Sequence, residues 1–146
     1  MFSGFAKASP QIDALIVRLR TLLKSKDYLT RTLVAKTLAG WGKMLAGLEP
    51  MVEPLVADLG AALADLELPV RLAAGHALAQ IGERSLVVLQ KALRDPRRDV
   101  RLAAIKALEE RAQTPAFFAI LRKALEDKDL IVQEAAILAV GSAEQS

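Results

Sequence analysis

The chain has 146 residues, 53% of them hydrophobic and 25% charged, with a formal net charge of +3. That is too apolar for a disordered segment and falls within the range of one domain, here residues 1–146. Cysteine is absent, which excludes disulfides, thiolate metal sites and cysteine nucleophiles and favours the cytoplasm. Residues 1–11 contain no apolar stretch of the secretory kind, and no run approaches the roughly 18 apolar residues of a membrane span. Aromatic residues make up only 4%, whereas Ala and Leu, the strongest helix formers, supply about a third of the chain. The fold class expected is all-α.

The helical elements come in pairs, and the pairs repeat. Upstream segments carry Leu15, Leu19, Leu22 and Leu23, then Leu55, Leu59 and Leu63, then Leu86, Leu89 and Leu93, then Phe117, Leu121 and Leu125, each set spaced as one face of a helix. Each is followed by a second stripe, best seen in residues 63–78 (LADLELPVRLAAGHAL) and 93–108 (LRDPRRDVRLAAIKAL), which align without a gap. The same frame fits residues 23–38 and 125–140. Pro10, Pro50, Pro54, Pro69, Pro96 and Pro115, with Gly42, Gly47 and Gly82, stand where turns are expected. Four copies follow, over about 10–47, 50–82, 84–112 and 114–142. One pair of helices cannot bury both its apolar faces, so the copies must stack, and small residues such as Ala103, Ala104 and Ala107 allow close approach.

The block L-x-D-x-x-x-x-V-R-x-A-A-x-x-A-L resembles the second half of a short HEAT repeat, of the kind found in phycobilisome-lyase-like proteins. The resemblance implies a right-handed α-solenoid of four helix pairs, an armadillo-like superhelix. It is strongest in the second and third copies. Thr30 replaces Val in the first, Gln133 replaces Arg in the last, and the closing Ile-Gly of the motif becomes Arg111-Ala112 in the third. A HEAT architecture specifies no chemistry, so function has to be read from the surface.

The motif Asp is present as Asp65, Asp95 and Asp127 but is Ser25 in the first copy, while the motif Arg is present as Arg31, Arg71 and Arg101 but is Gln133 in the last. This offset predicts a structural ladder in which each Arg pairs with the Asp of the following copy: Arg31 with Asp65, Arg71 with Asp95, Arg101 with Asp127. Charge alternates by copy, basic over 1–43 and 84–112, acidic over 44–83 and 113–146. The acidic second copy interrupts any phosphate track, and few aromatics are available for base stacking, so nucleic acid has only the local run Arg94, Arg97, Arg98 and Arg101 in its favour. No phosphate loop, G-x-S-x-G or H-E-x-x-H motif occurs, and a single histidine, His76, cannot seed a metal site. Neither cofactor nor catalytic residue is expected. An accessory role like that of the bilin lyases would rest on fold resemblance alone.

Apolar residues where the repeat ordinarily exposes polar ones give the sharper signal. In a HEAT solenoid the second helices line the concave face. There Leu72, Leu102, Ile105, Ile137 and Leu138 would form an apolar strip flanked by Lys36, His76, Lys106 and Glu109, or, with the helical phase shifted by one row, pack in the core. A groove of about 30 Å across four helices suits an extended peptide of roughly nine residues or a helix of about twenty. The expected function is therefore non-enzymatic: a scaffold that binds another protein through Leu72, His76, Leu102, Ile105, Lys106 and Ile137. Phe2 and Phe5 are placed to cap the first copy. The last copy carries Leu130, Ile131, Val132, Ile137, Leu138 and Val140 without a polar cap, which predicts self-association through the C-terminal repeat, a larger parent chain or a partner docking there.

Overall fold

A computed structural model describes residues 9–144, so the expectation for Phe2 and Phe5 lies outside the described residues. Nine α-helices and no strand are found among them: α1 (Pro10–Leu22), α2 (Tyr28–Gly40), α3 (Gly42–Ala46), α4 (Val52–Ala62), α5 (Leu68–Ile81), α6 (Leu86–Ala92), α7 (Arg98–Glu109), α8 (Pro115–Lys123) and α9 (Leu130–Glu144). Single 3₁₀ turns cover Glu83–Ser85 and Ala124–Glu126. The pairs are α1/α2, α4/α5, α6/α7 and α8/α9. Several of the prolines that mark turns in the sequence occupy the first turn of a helix, where the missing N–H costs nothing; Pro10 and Pro115 open α1 and α8, and Pro69 is the second residue of α5.

Second helices stack on one another in chain order, α2 on α5, α5 on α7 and α7 on α9, and the first helices α4 and α6 stack beside them. Leu38, Leu55, Leu59, Leu63, Leu78, Leu89, Leu108, Phe117 and Leu121 are fully buried between the two layers. The inner stripe of small residues sets the spacing between copies. A Cβ added at Gly75 would lie 3.4 Å from Ala107 Cβ and 3.5 Å from the Ala103 carbonyl oxygen, so α5 and α7 approach nearly backbone to backbone.

The turn inside each helix pair is built the same way. The motif side chain caps it by accepting from the backbone N–H two residues on: Ser25 Oγ from Asp27 (3.1 Å), then the Oδ1 atoms of Asp65, Asp95 and Asp127 from Glu67, Arg97 and Asp129 (2.9 Å each). The motif Arg then reaches back into the turn of its own copy. Nη1 of Arg31, Arg71 and Arg101 donates to the carbonyls of Ser25, Asp65 and Asp95 at 2.7, 2.8 and 2.9 Å.

The first copy is longer than the others because α3 follows α2 directly at Trp41 and packs on α5. There the sequence shows only glycines that read as a break. Gly42 is required by contact: a Cβ would fall 2.5 Å from the Gln80 carbonyl carbon. Gly82 closes α5 at φ +91°, a backbone state that L side chains rarely adopt.

Candidate functional site

The face formed by α5, α7 and α9 holds a cavity of about 430 Å³. Its apolar lining is Leu68, Leu72, Leu102 and Leu138, with Ile105 and Ala103 beneath, and its charged edge is Arg71, Asp99, Lys106 and Glu109. The geometry follows from helical spacing: Leu68 and Leu72 lie one turn apart on α5, Leu102 and Lys106 one turn apart on α7, and α7 runs between α5 and α9. The site is thus an open trough with an apolar base and both signs of charge at its rim. Such a surface can take up an apolar side chain and orient the segment that carries it.

Of the six residues expected to contact a partner, Leu72, Leu102, Ile105 and Lys106 come together around this cavity, while His76 and Ile137 do not line it. Leu72 is exposed and Leu102 half-buried. Ile105 corrects the expectation that it faces solvent, since it is 3% exposed. The row it shares with Ala35 and Gly75 faces the following copy, and α9 packs over it; an apolar side chain there serves stacking. Ile137, in the same row, is exposed because no helix follows α9 among the described residues. His76 is exposed, and its Nδ1 meets the Glu110 carboxylate of the third copy.

The ladder has two of its three expected rungs. Arg31 Nε and Nη2 donate to Asp65 Oδ2 and Oδ1 at 2.8 and 3.0 Å, and Arg101 Nε donates to Asp127 Oδ2 at 2.9 Å. The Arg71–Asp95 rung is not made. Asp95 is held by Arg97, and Arg71 Nη1 donates to the carbonyls of Asp65 and Leu66. The third copy alone carries a cation two residues after its motif Asp, where the others have Asp27, Glu67 and Asp129, and this local partner intercepts the carboxylate. Hydrogen bonds from the Arg97 side chain, then from its N–H, bring the Asp95 carboxyl down to about 2. At Asp65 burial pushes the carboxyl up, but the Arg31 hydrogen bond, the Glu67 N–H and the nearby guanidinium charges together hold it below its ordinary value.

The arginine run that favoured nucleic acid is largely engaged within the protein. Arg97 pairs with Asp95, Arg98 with Asp129 at 2.6 Å, and Arg101 with Asp127. Among the described residues no group of three or more His, Asp or Glu side chains is arranged to hold a metal ion, and no helix is long and apolar enough to cross a membrane. Arg111, to which the sequence assigns no role, donates from Nε to the Ala79 carbonyl and from Nη2 to that of Gln80, at 3.0 and 3.4 Å. The replacement of the motif's closing Ile by Arg was its only trace in the sequence.

Comparison with known proteins agrees with this architecture. The family profile described as HEAT repeats matches residues 56–141. An engineered protein whose crystal structure was determined by the Northeast Structural Genomics Consortium superposes with a TM-score of 0.53 at 24% identity, over 88% of this chain. The chain spans 62% of the length of that structure, and the likeness shows the fold alone. No curated protein matches the sequence.

Proposed function

Because the chain belongs to the HEAT-repeat family, α-solenoids that generally act as protein-interaction scaffolds, we propose that it binds a segment of another protein in the trough between α5, α7 and α9. The observation that carries this reading is the convergence of Leu68, Leu72, Leu102 and Leu138 on one open cavity edged by Arg71, Asp99, Lys106 and Glu109. Apolar anchors within a charged rim are the pattern of peptide and helix recognition, where the anchors carry affinity and the rim sets orientation. The role is that of a non-enzymatic scaffold. Nucleic acid is the weaker reading, because three of the four arginines in the basic run already face carboxylates.

A displayed library of random peptides tests the proposal. The protein should enrich sequences with apolar residues at helical or alternate spacing and basic or acidic flanks. Leu102→Asp should reduce binding of the enriched peptides at least tenfold, while Val87→Asp, on the exposed surface of α6, should leave it unchanged. Equal loss in both variants, or none in either, rejects the trough as the binding surface.

A further inference from the structure

The two ends of the helical stack present opposite halves of the interface that joins its copies. On α9, Leu130 (71% exposed), Ile137 (54%) and Leu138 (74%) lie in the rows of Arg98, Ile105 and His76. In the inner copies each of these meets the following copy: Arg98 bonds to Asp129, Ile105 is buried under α9, and His76 meets Glu110. On α2, Leu33 (64%) is exposed in the row that faces the preceding copy, whereas its counterparts Ala73 and Ala103 are buried. Leu15 on α1 is likewise exposed where Leu55 and Ser85 are fully buried.

We propose that these two ends are complementary and that the chain associates head to tail with a second copy of itself, α9 of one molecule packing on α2 of the next. The contact continues an interface that the fold already forms in series, α2 on α5, α5 on α7 and α7 on α9. The ladder residues fit a junction between two copies of this chain. The rung at that place would join Gln133 to Ser25, both uncharged, so neither end buries an unpaired ion.

Across the first junction Lys24 and Arg20 both approach Asp58. In register, Glu126 takes the place of Lys24, Arg122 that of Arg20 and Arg18 that of Asp58, so Arg18 would meet Glu126 on one side and the like charge of Arg122 on the other, and this cluster by itself favours neither arrangement. Residues 1–43 are strongly basic and 113–146 net acidic, which favours unlike ends over like ends. Room exists for the larger side chains: by the register that places His76 on Glu110, Leu138 would fall over Gly40, where an added Cβ would meet nothing within 4 Å. An interface of this kind is heterologous and does not close on itself at two molecules.

Sedimentation velocity on the full chain and two variants tests the proposal. Leu33→Glu blocks the α2 end and Leu138→Glu the α9 end; both side chains are exposed, and helical content by circular dichroism confirms that each variant is folded. The unsubstituted chain should grow with concentration beyond a dimer. Each variant alone should sediment as a monomer, and an equimolar mixture should form a dimer, one of each, that grows no further. A chain that stays monomeric up to about 1 mM overturns the proposal. So does a variant that dimerises by itself, since like ends would then be meeting, or a mixture that fails to associate.

Discussion

Arg97 grips Asp95 with two hydrogen bonds, Nε to Oδ1 and Nη2 to Oδ2, both 2.9 Å, and so withdraws the carboxylate from Arg71 of the preceding copy. Replacing Arg97 with Ser should release it. The Asp95 carboxyl, held at about 2, should then titrate closer to the ordinary carboxylate range, and Arg71 should turn from the turn carbonyls towards it. Carboxyl-detected NMR titration checks the first effect; a midpoint that does not move would falsify the assignment of Arg97 as the principal partner.

The rungs that are made should outweigh the one that is not. Arg31 and Asp65 are both largely shielded from water, with 17% and 12% of their side-chain surface exposed, and their contact is bidentate. Arg31→Met leaves the Asp65 charge without its partner and should cost about 2 kcal/mol. Arg71→Met breaks only bonds to backbone carbonyls and should cost less, about 1 kcal/mol. Urea unfolding of the two variants ranks them, and equal losses contradict the role given to the Arg31 rung.

Acid should loosen the stack. The carboxyls of Asp27, Asp65, Asp95 and Asp129 all sit below their usual value in the folded chain. A depressed folded value means that the stabilisation is complete above the unfolded value, about 3.9, and fades as pH falls through the folded one. For Asp95 the window therefore runs from about pH 4 down to about 2. The urea midpoint should fall over this interval and change little between pH 5 and 7 from these groups. A midpoint independent of pH below 4 would show that the four carboxylates contribute nothing.

Two glycines should respond with opposite sign. Gly42→Ala drives a methyl into the Gln80 backbone, 2.5 Å from its carbonyl carbon, and should destabilise by about 1–3 kcal/mol because α3 must move off α5. Gly141, within α9, has nothing within 4 Å of an added Cβ. Alanine there should raise stability by up to about 1 kcal/mol through helix propensity. Thermal unfolding of both variants decides the matter, and a loss at Gly141 would mean that its surroundings are not open.

Helix pairs were legible in the sequence because apolar residues at three- and four-residue spacing have one physical cause, the burial of a face, and the gapless match of residues 63–78 and 93–108 fixed the register. The cross-copy pairs Arg31–Asp65 and Arg101–Asp127 were legible because their absences fall at opposite ends of the chain. What escaped depended on competition between near and far partners. Arg97, two residues from Asp95, reaches it at lower entropic cost than Arg71 does. Ile105 misled because periodicity tells which residues share a face, and one row of rotation separates the face turned to solvent from the face turned to the next copy. The short helix α3 escaped because its glycines serve close contact as well as chain reversal.

The near-contact of Gly75 with Ala107 and the Ala103 carbonyl gives this surface a means of adjustment from behind. Leu72 and Leu102 stand on the two helices that this contact holds together, so the separation of the two leucines depends on Gly75 and Ala107, neither of which lines the cavity. A larger side chain at Gly75 would part α5 from α7 and widen the trough while leaving every lining residue in place. Specificity could thus drift through the buried stripe, with variants that differ in what they accept but show the same exposed sequence.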